Sequence, residues 1–224
     1  MILKFDLPSR FPDPESADED GIVAVSGDLN CELLLDAYAH GIFPWPYEDS
    51  TVLWSSPPRR GVLFIEQFHI PRSLQRELKK TPFELRINSA FDEVIAACAS
   101  ARREGQDGTW ITPKIIRTYC QMHRHKLAHS FEAFLPDGTL AGGLYGLVCG
   151  KIFCGESMFF RHSGASKFAF VKLVETLEAL GFVLIDTQMV TNLTASFGAI
   201  EIPRAEYLQL LSVYGAPMMP FEWR

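Results

Sequence analysis

The side chains best suited to chemistry in this sequence follow one apolar segment. Asp186, Thr187 and Gln188 stand directly after residues 182–185, which read Phe-Val-Leu-Ile. Side chains of a strand alternate between its two faces, so Asp186 and Gln188 are predicted to emerge together on one side. A carboxylate with apolar neighbours must be paired or lie where it is used, because an isolated buried charge is costly. The residues alone leave both interpretations of Asp186 open, a structural ion pair and a functional group.

A second carboxylate could reach the same edge of the sheet. Glu156 lies in Gly155-Glu156-Ser157, which closes the preceding predicted strand. The alternative interpretation is an exposed surface glutamate. Ser157 is not predicted to be a nucleophile, because the Gly-x-Ser-x-Gly turn needs a second glycine where Phe159 stands.

Metal and disulfide chemistry are not indicated by the sequence. The five cysteines form no Cys-x-x-Cys pair, so we expect reduced thiols and no thiolate zinc site. No His-Glu-x-x-His pattern occurs, and surface or packing roles are expected for the closely spaced His123, His125 and His129.

The composition indicates a folded protein that is not uniformly basic. The chain has 224 residues, 47% hydrophobic and 21% charged, with 17 Phe and 4 Trp, which is ample material for a core. Its net charge of -6 excludes a uniformly basic protein whose whole surface binds nucleic acid. The acidic residues concentrate in residues 1–20. Without a signal peptide or a run of about 20 apolar residues, the sequence predicts a cytoplasmic protein with no membrane contact.

Local basic segments and tryptophans leave nucleic-acid binding open. Residues 59–80 and 102–126 each carry six basic residues against two acids. A helix at 72–80 would place four basic residues on one face: Arg72, Arg76, Lys79 and Lys80. This face could contact phosphates or could simply be exposed to solvent. Trp54 and Trp110 could stack on bases or belong to the core.

Periodicity and turn signals predict an α+β fold. Asn30 or Asp28 can cap a helix that ends at Gly41, and a proline-rich segment follows. Further helices are predicted at 72–80, 90–103, 113–127 and 167–180. Turns at Asp137-Gly138 and Cys149-Gly150 predict an antiparallel meander. We expect a small N-terminal α/β domain at 1–61 and a larger domain with a mixed, mostly antiparallel sheet at 62–224.

One loop suggests an acetyltransferase-like fold. Residues 161–166 read Arg-His-Ser-Gly-Ala-Ser, close to the loop with which GNAT acetyltransferases hold the coenzyme A pyrophosphate at a helix N-terminus. Ser166 stands where that loop has a second glycine or an alanine. A coenzyme A dependent acetyltransferase is therefore a rival interpretation.

Several strings in one order resemble the leucyl/phenylalanyl-tRNA-protein transferases. They include GIFPW, LWSSPPRRGVL, GTWI, IFCGESMFFR, LIDTQ and ASFGAIEIPR, and they extend from about residue 20 to 207. The resemblance implies a GNAT-like catalytic domain without coenzyme A, metal or other cofactor. It implies transfer of Leu or Phe, with Met as a further donor, from aminoacyl-tRNA to the N-terminal α-amine of proteins that begin with Arg or Lys. The product would be an N-degron for degradation.

The resemblance also implies roles for single residues. Asp186 and Gln188 match a relay that orients and deprotonates the attacking amine, and Glu156 matches a residue near the acceptor amine. The aminoacyl side chain would enter a pocket of Leu144, Met158, Phe170, Leu173, Leu177 and Ile185. Trp110 and Trp54 would hold the terminal adenosine, and the cationic face of helix 72–80 would contact tRNA phosphates.

Departures from the family pattern leave specificity open. Many relatives carry His where Leu193 stands and a second Trp where Ser55 stands, and Phe170 is an added pocket aromatic. The alternatives are the same reaction with other donors or with acidic acceptor N-termini, the acetyltransferase, and a non-catalytic RNA-binding module. A monomer is expected.

Overall fold

The computed structural model describes residues 9–48, 51–80, 82–101 and 109–223. The acids and bases within residues 1–8 lie outside the described residues. So do Arg102 and Arg103, which are the last residues of the helix predicted at 90–103 and the first of the second basic segment. Within the described ranges, none of the helices has the length and hydropathy needed to cross a bilayer.

The described residues form ten strands and seven helices, with short 3-10 turns at Pro14–Ser16 and Ile65–Gln67. The strands are β1 Ile22–Ser26, β2 Phe43–Glu48, β3 Thr51–Ser55, β4 Arg59–Phe64, β5 Glu84–Ile87, β6 Ala128–Phe134, β7 Leu140–Cys149, β8 Ile152–Phe160, β9 Leu184–Gln188 and β10 Ile200–Pro203. The helices are α1 Cys31–Ala39, α2 Arg72–Leu78, α3 Phe91–Ser100, α4 Pro113–Arg124, α5 Ala165–Ala179, α6 Asn192–Ser196 and α7 Arg204–Tyr214.

Local sequence signals place the helix starts within two residues of the prediction, whereas the helices predicted to end at 80 and 103 end at Leu78 and Ser100. Asn30, rather than Asp28, caps α1 by accepting a hydrogen bond from the Leu33 backbone N–H. Thr112 caps α4 in the same way, ahead of Pro113. The helix predicted to run to 127 ends at Arg124, because Lys126 adopts a left-handed φ of 59° that cannot continue a helix.

The strands form two sheets. One has three strands in the order β1-β3-β2, and the other has seven in the order β10-β4-β9-β8-β7-β6-β5. All neighbours in the larger sheet are antiparallel except β8 and β9, whose parallel pairing requires the crossover through α5. The predicted α+β fold with a mixed, mostly antiparallel sheet is confirmed. Residue 61 lies inside β4, and the division into domains 1–61 and 62–224 stays a prediction.

Both faces of the larger sheet are covered by helices. Along β7, Leu144 packs into the apolar cluster of α5, whereas its neighbour Tyr145 packs into the cluster of α3 and α4. This alternation is what a strand with two covered faces requires.

The parallel strands β8 and β9 pair over a short distance only. Their register covers Ile152 to Cys154 on β8, and it ends where Cys154 stands opposite Asp186. β8 continues to Phe160, and β9 ends at Gln188. The side chains that follow the last pair on each strand are therefore those that the topology brings to one opening.

Candidate active site

A cavity of about 300 Å³ lies where β8 and β9 cease to pair. Glu156 and Ser157 contribute from β8, and Thr187 and Gln188 contribute from β9. α5 closes the apolar side, and Trp45 and Trp110 contribute from outside the larger sheet. A concave, mostly apolar site with a few polar groups is the usual form of a small-ligand site.

The apolar wall contains most of the predicted pocket. Five of the six predicted residues line the cavity: Leu144, Met158, Phe170, Leu173 and Ile185. Leu177 does not, and this prediction is wrong, because Leu177 lies one turn further along α5 and is 0% exposed in the core. Phe153 and Leu193 complete the wall instead.

The Phe170 side chain packs against two other aromatic rings behind the cavity wall. Its ring stacks on that of Phe197, with centroids 5.0 Å apart and an interplanar angle of 20°. Phe68 packs against both rings, at 6.4 Å from Phe170 and 5.6 Å from Phe197. The shape of this wall is therefore fixed by close packing behind it.

The polar wall is centred on Glu156. The Tyr38 hydroxyl donates to Oε1 at 2.6 Å, the Gln188 side-chain Nε2 donates to Oε1 at 3.3 Å, and the Tyr119 hydroxyl contacts Oε2 at 3.1 Å. Burial raises the pKa of Glu156 to about 7, against the lowering effect of the two tyrosine hydrogen bonds. The exposed-glutamate interpretation is wrong, and Glu156 and Gln188 meet as predicted.

Asp186 does not emerge beside Gln188, and this prediction is wrong. Its side chain is 0% exposed and ion-paired with Arg60, which donates from Nε to Oδ1 at 2.8 Å and from Nη2 to Oδ2 at 2.7 Å. Tyr207 donates to Oδ2 at 2.9 Å. Gln188 has a left-handed φ of 56°, which breaks the strand alternation and sends its side chain into the cavity.

Asp186 nevertheless contacts Gln188 through the backbone. Its Oδ1 accepts the Gln188 backbone N–H at 3.0 Å. A non-glycine residue with positive φ is held only where its surroundings favour it, and this hydrogen bond is one such constraint. Asp186 thus supports the backbone conformation that directs Gln188.

The aromatic contribution comes from Trp45 and Trp110, not from Trp54. The rings of Trp45 and Trp110 are stacked, with centroids 5.9 Å apart and an interplanar angle of 13°. Trp54 lies on the central strand of the small sheet, where it is 1% exposed and donates from Nε1 to Ser26 Oγ at 2.9 Å. The prediction of Trp54 as a base-stacking residue is therefore wrong, because neither face of its ring is open. Its neighbour Ser55 is also buried, donating from Oγ to the Gly21 carbonyl.

The basic helix lies near the N-terminus of α5. The four cationic side chains are exposed, with Lys79 at the end of α2 and Lys80 in the turn after it. On the same helix, Glu77 accepts from Ser163 Oγ at 2.9 Å and lies 3.5 Å from Lys167 Nζ. Gly164 has a φ of 82°, and a β-carbon there would approach Glu77 Oε1 to 3.2 Å. A carboxylate of the chain itself thus lies beside the N-terminus of α5, where its negative charge counts against a coenzyme A pyrophosphate.

The model of the family described as leucyl/phenylalanyl-tRNA protein transferase matches residues 62–212, and that of its N-terminal domain matches residues 27–58. The chain belongs to this family. The resemblance that the sequence strings indicated is confirmed, and so is the prediction of an aminoacyltransferase enzyme.

Proteins named leucyl/phenylalanyl-tRNA–protein transferase are similar over nearly the whole chain. The one from Anaeromyxobacter dehalogenans is 50% identical over 211 residues, covering 94% of this chain and 90% of that protein. The one from Teredinibacter turnerae is 46% identical over 215 residues, covering 94% and 83% respectively. Among solved structures, L-PGS from Bacillus licheniformis has a TM-score of 0.41 and 9% identity, covering 76% of this chain and 56% of that chain.

In this transferase-family chain, the residues that support the site were not predicted from the sequence. Arg60 and Tyr207 bind Asp186, while Tyr38 and Tyr119 bind Glu156. A cationic partner such as Arg60 could have been predicted from the need to pair a buried Asp186. Trp45 could have been predicted from the family string GIFPW. Among the described residues no group of three or more His, Cys, Asp or Glu is placed to hold a metal ion.

Proposed function

We propose that this enzyme transfers a leucyl or phenylalanyl group from its tRNA to the N-terminal α-amine of proteins that begin with Arg or Lys. Met is a further donor of the same class. The product would carry an N-degron and be directed to degradation. The observation that carries the proposal is the apolar cavity whose polar wall is formed by Glu156 and Gln188.

The cavity supports an apolar donor side chain. Its inner wall is made of Leu, Ile, Met and Phe side chains, so a polar aminoacyl group would lose hydrogen bonds to water without replacing them. Leu and Phe differ in shape and in apolar area rather than in polarity. Discrimination between apolar donors that differ by a methylene is worth only about 1 to 3 kcal/mol, so a mixed donor preference is expected.

Gln188 is suited to orient the attacking amine. Its Nε2 donates to Glu156, and its amide oxygen can accept a hydrogen bond from an amine. The donor ester is already activated and the acceptor amine, with a pKa of about 8, is readily available as the free base, so no covalent nucleophile is needed. Asp186 acts as a positioning residue for Gln188, which its hydrogen bond to the Gln188 backbone supports.

The tRNA would approach across aromatic and cationic groups. Trp110, with Trp45 in place of the predicted Trp54, offers aromatic surface to the terminal adenosine at the cavity mouth. The exposed cations of α2 and of the turn after it would contact phosphates, namely Arg72, Arg76, Lys79 and Lys80. We propose a monomer that works in the cytoplasm, where charged tRNAs are present.

The proposal is tested by transfer from charged tRNAs to peptides. The purified enzyme should move radiolabelled Leu or Phe to peptides that begin with Arg or Lys. Gln188→Ala should lower the transfer rate by about 100-fold, because a misplaced reactant typically costs that much. Gln209→Ala, an exposed glutamine on α7, is the matched control and should leave the rate unchanged.

The same assay distinguishes the alternatives. Preferential transfer to peptides that begin with Asp or Glu would support altered acceptor specificity. Acetylation with acetyl-coenzyme A would support the acetyltransferase. Binding of tRNA without transfer from any charged tRNA would support the RNA-binding module and contradict the proposed activity.

A salt titration tests the exposed cations of residues 72–80. If Lys79 contacts a phosphate, Lys79→Ala should reduce the slope of log affinity for tRNA against log salt by about 0.9, the contribution of one released counterion. Lys151→Ala is the matched control, because Lys151 lies at the other end of α5 and donates to the Leu180 carbonyl. Equal slopes for wild type and Lys79→Ala would exclude this contact.

A further inference from the structure

We propose that Glu156 is the group that takes the proton from the attacking amine and returns it to the departing 3′ oxygen of the tRNA. The inference rests on the proposed function and assigns one of its steps. It differs from the role implied by the family resemblance, in which Asp186 and Gln188 relay the proton and Glu156 serves the acceptor N-terminus.

Asp186 has no capacity left for this step. An ionised carboxylate offers about four acceptor positions, two on each oxygen. Oδ1 accepts Arg60 Nε and the Gln188 backbone N–H, and Oδ2 accepts Arg60 Nη2 and the Tyr207 hydroxyl. Its side chain is also 0% exposed and does not line the cavity, so an amine cannot reach it.

Glu156 is the one carboxylate among the described residues that line the cavity. Gln188 beside it is a carboxamide, which accepts hydrogen bonds but is a very weak base. The Gln188 contact places the Glu156 carboxylate next to the group proposed to orient the amine. A proton released at Gln188 therefore has a short path to Glu156.

The two tyrosines form a hydrogen-bonded triangle with Glu156. Tyr38 and Tyr119 are 2.8 Å apart at their hydroxyl oxygens, Tyr38 lies 2.6 Å from Oε1, and Tyr119 lies 3.1 Å from Oε2. Each hydroxyl carries one proton, so an ionised Glu156 leaves two protons for three contacts. A protonated Glu156 supplies the third proton and closes the ring, with every member donating once. The triangle thus accommodates the carboxylate and the carboxylic acid without moving its heavy atoms, because the change requires only that one tyrosine hydroxyl turn from Glu156 to the other tyrosine.

The electrostatic surroundings bring proton uptake into the neutral range. Burial raises the pKa of Glu156 to about 7, the tyrosine hydrogen bonds lower it, and the charge of Asp186 raises it against that of Arg60. The titratable and charged groups around Glu156 are Tyr38 of α1, Arg60 of β4, Tyr119 of α4, Cys154 of β8 and Asp186 of β9, and Tyr145 of β7 acts on Tyr119. A base whose pKa lies near the working pH is the most effective.

The step balances without any co-reactant. The neutral amine nitrogen forms a C–N bond with the ester carbonyl carbon, and one of its protons passes to the Glu156 carboxylate. The ester C–O bond then breaks, and the 3′ oxygen takes that proton from Glu156. The carboxylate is restored, and the products are an amide and a tRNA with a free 3′ hydroxyl.

The test is the pH dependence of kcat for Leu transfer to an Arg-initiated peptide. Wild type should lose activity as the pH falls through about 7, because Glu156 becomes protonated below its pKa and cannot accept a proton. Glu156→Gln should lower kcat by about 100-fold and remove this transition, while tRNA affinity stays within about two-fold. Glu178→Gln, an exposed glutamate on α5, is the matched control and should behave as wild type.

Tyr119→Phe separates proton transfer from a merely structural role of Glu156. Its hydroxyl favours the ionised form, so its removal should raise the pKa of Glu156 and move the kcat transition to higher pH. The peptide amine is unchanged in this variant and cannot cause such a shift. An unmoved transition, or a Glu156→Gln enzyme that keeps the wild-type profile, would overturn the proposal while wild-type transfer upholds the proposed function. Absence of transfer by wild type at every pH would overturn both.

Discussion

Replacing Arg60 by Met should lower the free energy of unfolding by about 3 to 5 kcal/mol, because it leaves the buried Asp186 carboxylate without its cation. Arg60 is 1% exposed and makes two hydrogen bonds to Asp186. It also donates to the Gly41 carbonyl at 3.1 Å and packs on the rings of Phe43 and Tyr207. Urea unfolding of wild type and variant measures the difference.

A double variant separates the charge from the packing. Arg60→Met combined with Asp186→Leu removes both charges and should recover part of the lost stability. The recovery is incomplete, because the Tyr207 hydroxyl and the Gln188 backbone N–H lose their acceptor. Transfer activity should remain low in the double variant, since Gln188 is no longer held. A loss below about 1 kcal/mol in Arg60→Met would contradict the importance of the ion pair.

Replacing Trp110 by Ala should weaken the binding of aminoacyl-tRNA by about 1 to 3 kcal/mol, or roughly 5- to 150-fold, the usual contribution of one base stacked on an aromatic ring. Trp110 lines the cavity and stacks on Trp45, so a nucleoside at the mouth would meet this pair. The measurement is the dissociation constant for charged tRNA, with a 3′-truncated tRNA as reference. The truncated tRNA should bind wild type and variant equally.

Trp54→Phe is the informative control for that experiment. Trp54 is buried against Phe11, with ring centroids 4.7 Å apart, and its Nε1 is satisfied by Ser26. Its replacement should lower stability while tRNA affinity at a temperature where the variant is folded stays unchanged. A reduced affinity in Trp54→Phe equal to that of Trp110→Ala would contradict the assignment of the aromatic wall.

The site joins the two sheets of the molecule. Tyr38 belongs to α1, and Trp45 lies on the small sheet, whereas Glu156 and Gln188 lie on the large one. The contact between Arg60 and the Gly41 carbonyl fixes the turn from which β2 begins. Substitutions in the N-terminal segment are therefore expected to alter the polar wall through these hydrogen bonds, which the sequence does not reveal.

The sequence by itself determined the family and the approximate positions of α1 to α5 and β6 to β9. Caps such as Asn30 and Thr112, and turns such as Asp137-Gly138, act within a few residues, so local patterns predict them. The order of the short strings indicated the transferase family. The apolar residues predicted to line the pocket do line the cavity, except Leu177, which is buried in the core.

Only the tertiary structure decided which polar groups face the cavity. Arg60 and Asp186 are 126 residues apart in sequence, and Tyr38 and Glu156 are 118 apart, so their contacts depend on strand order and helix packing. The left-handed backbone of Gln188 overrode the strand periodicity that predicted a shared face with Asp186. Periodicity describes an isolated strand, whereas a carboxylate lies where the fold supplies a partner for its charge, and here that partner is Arg60.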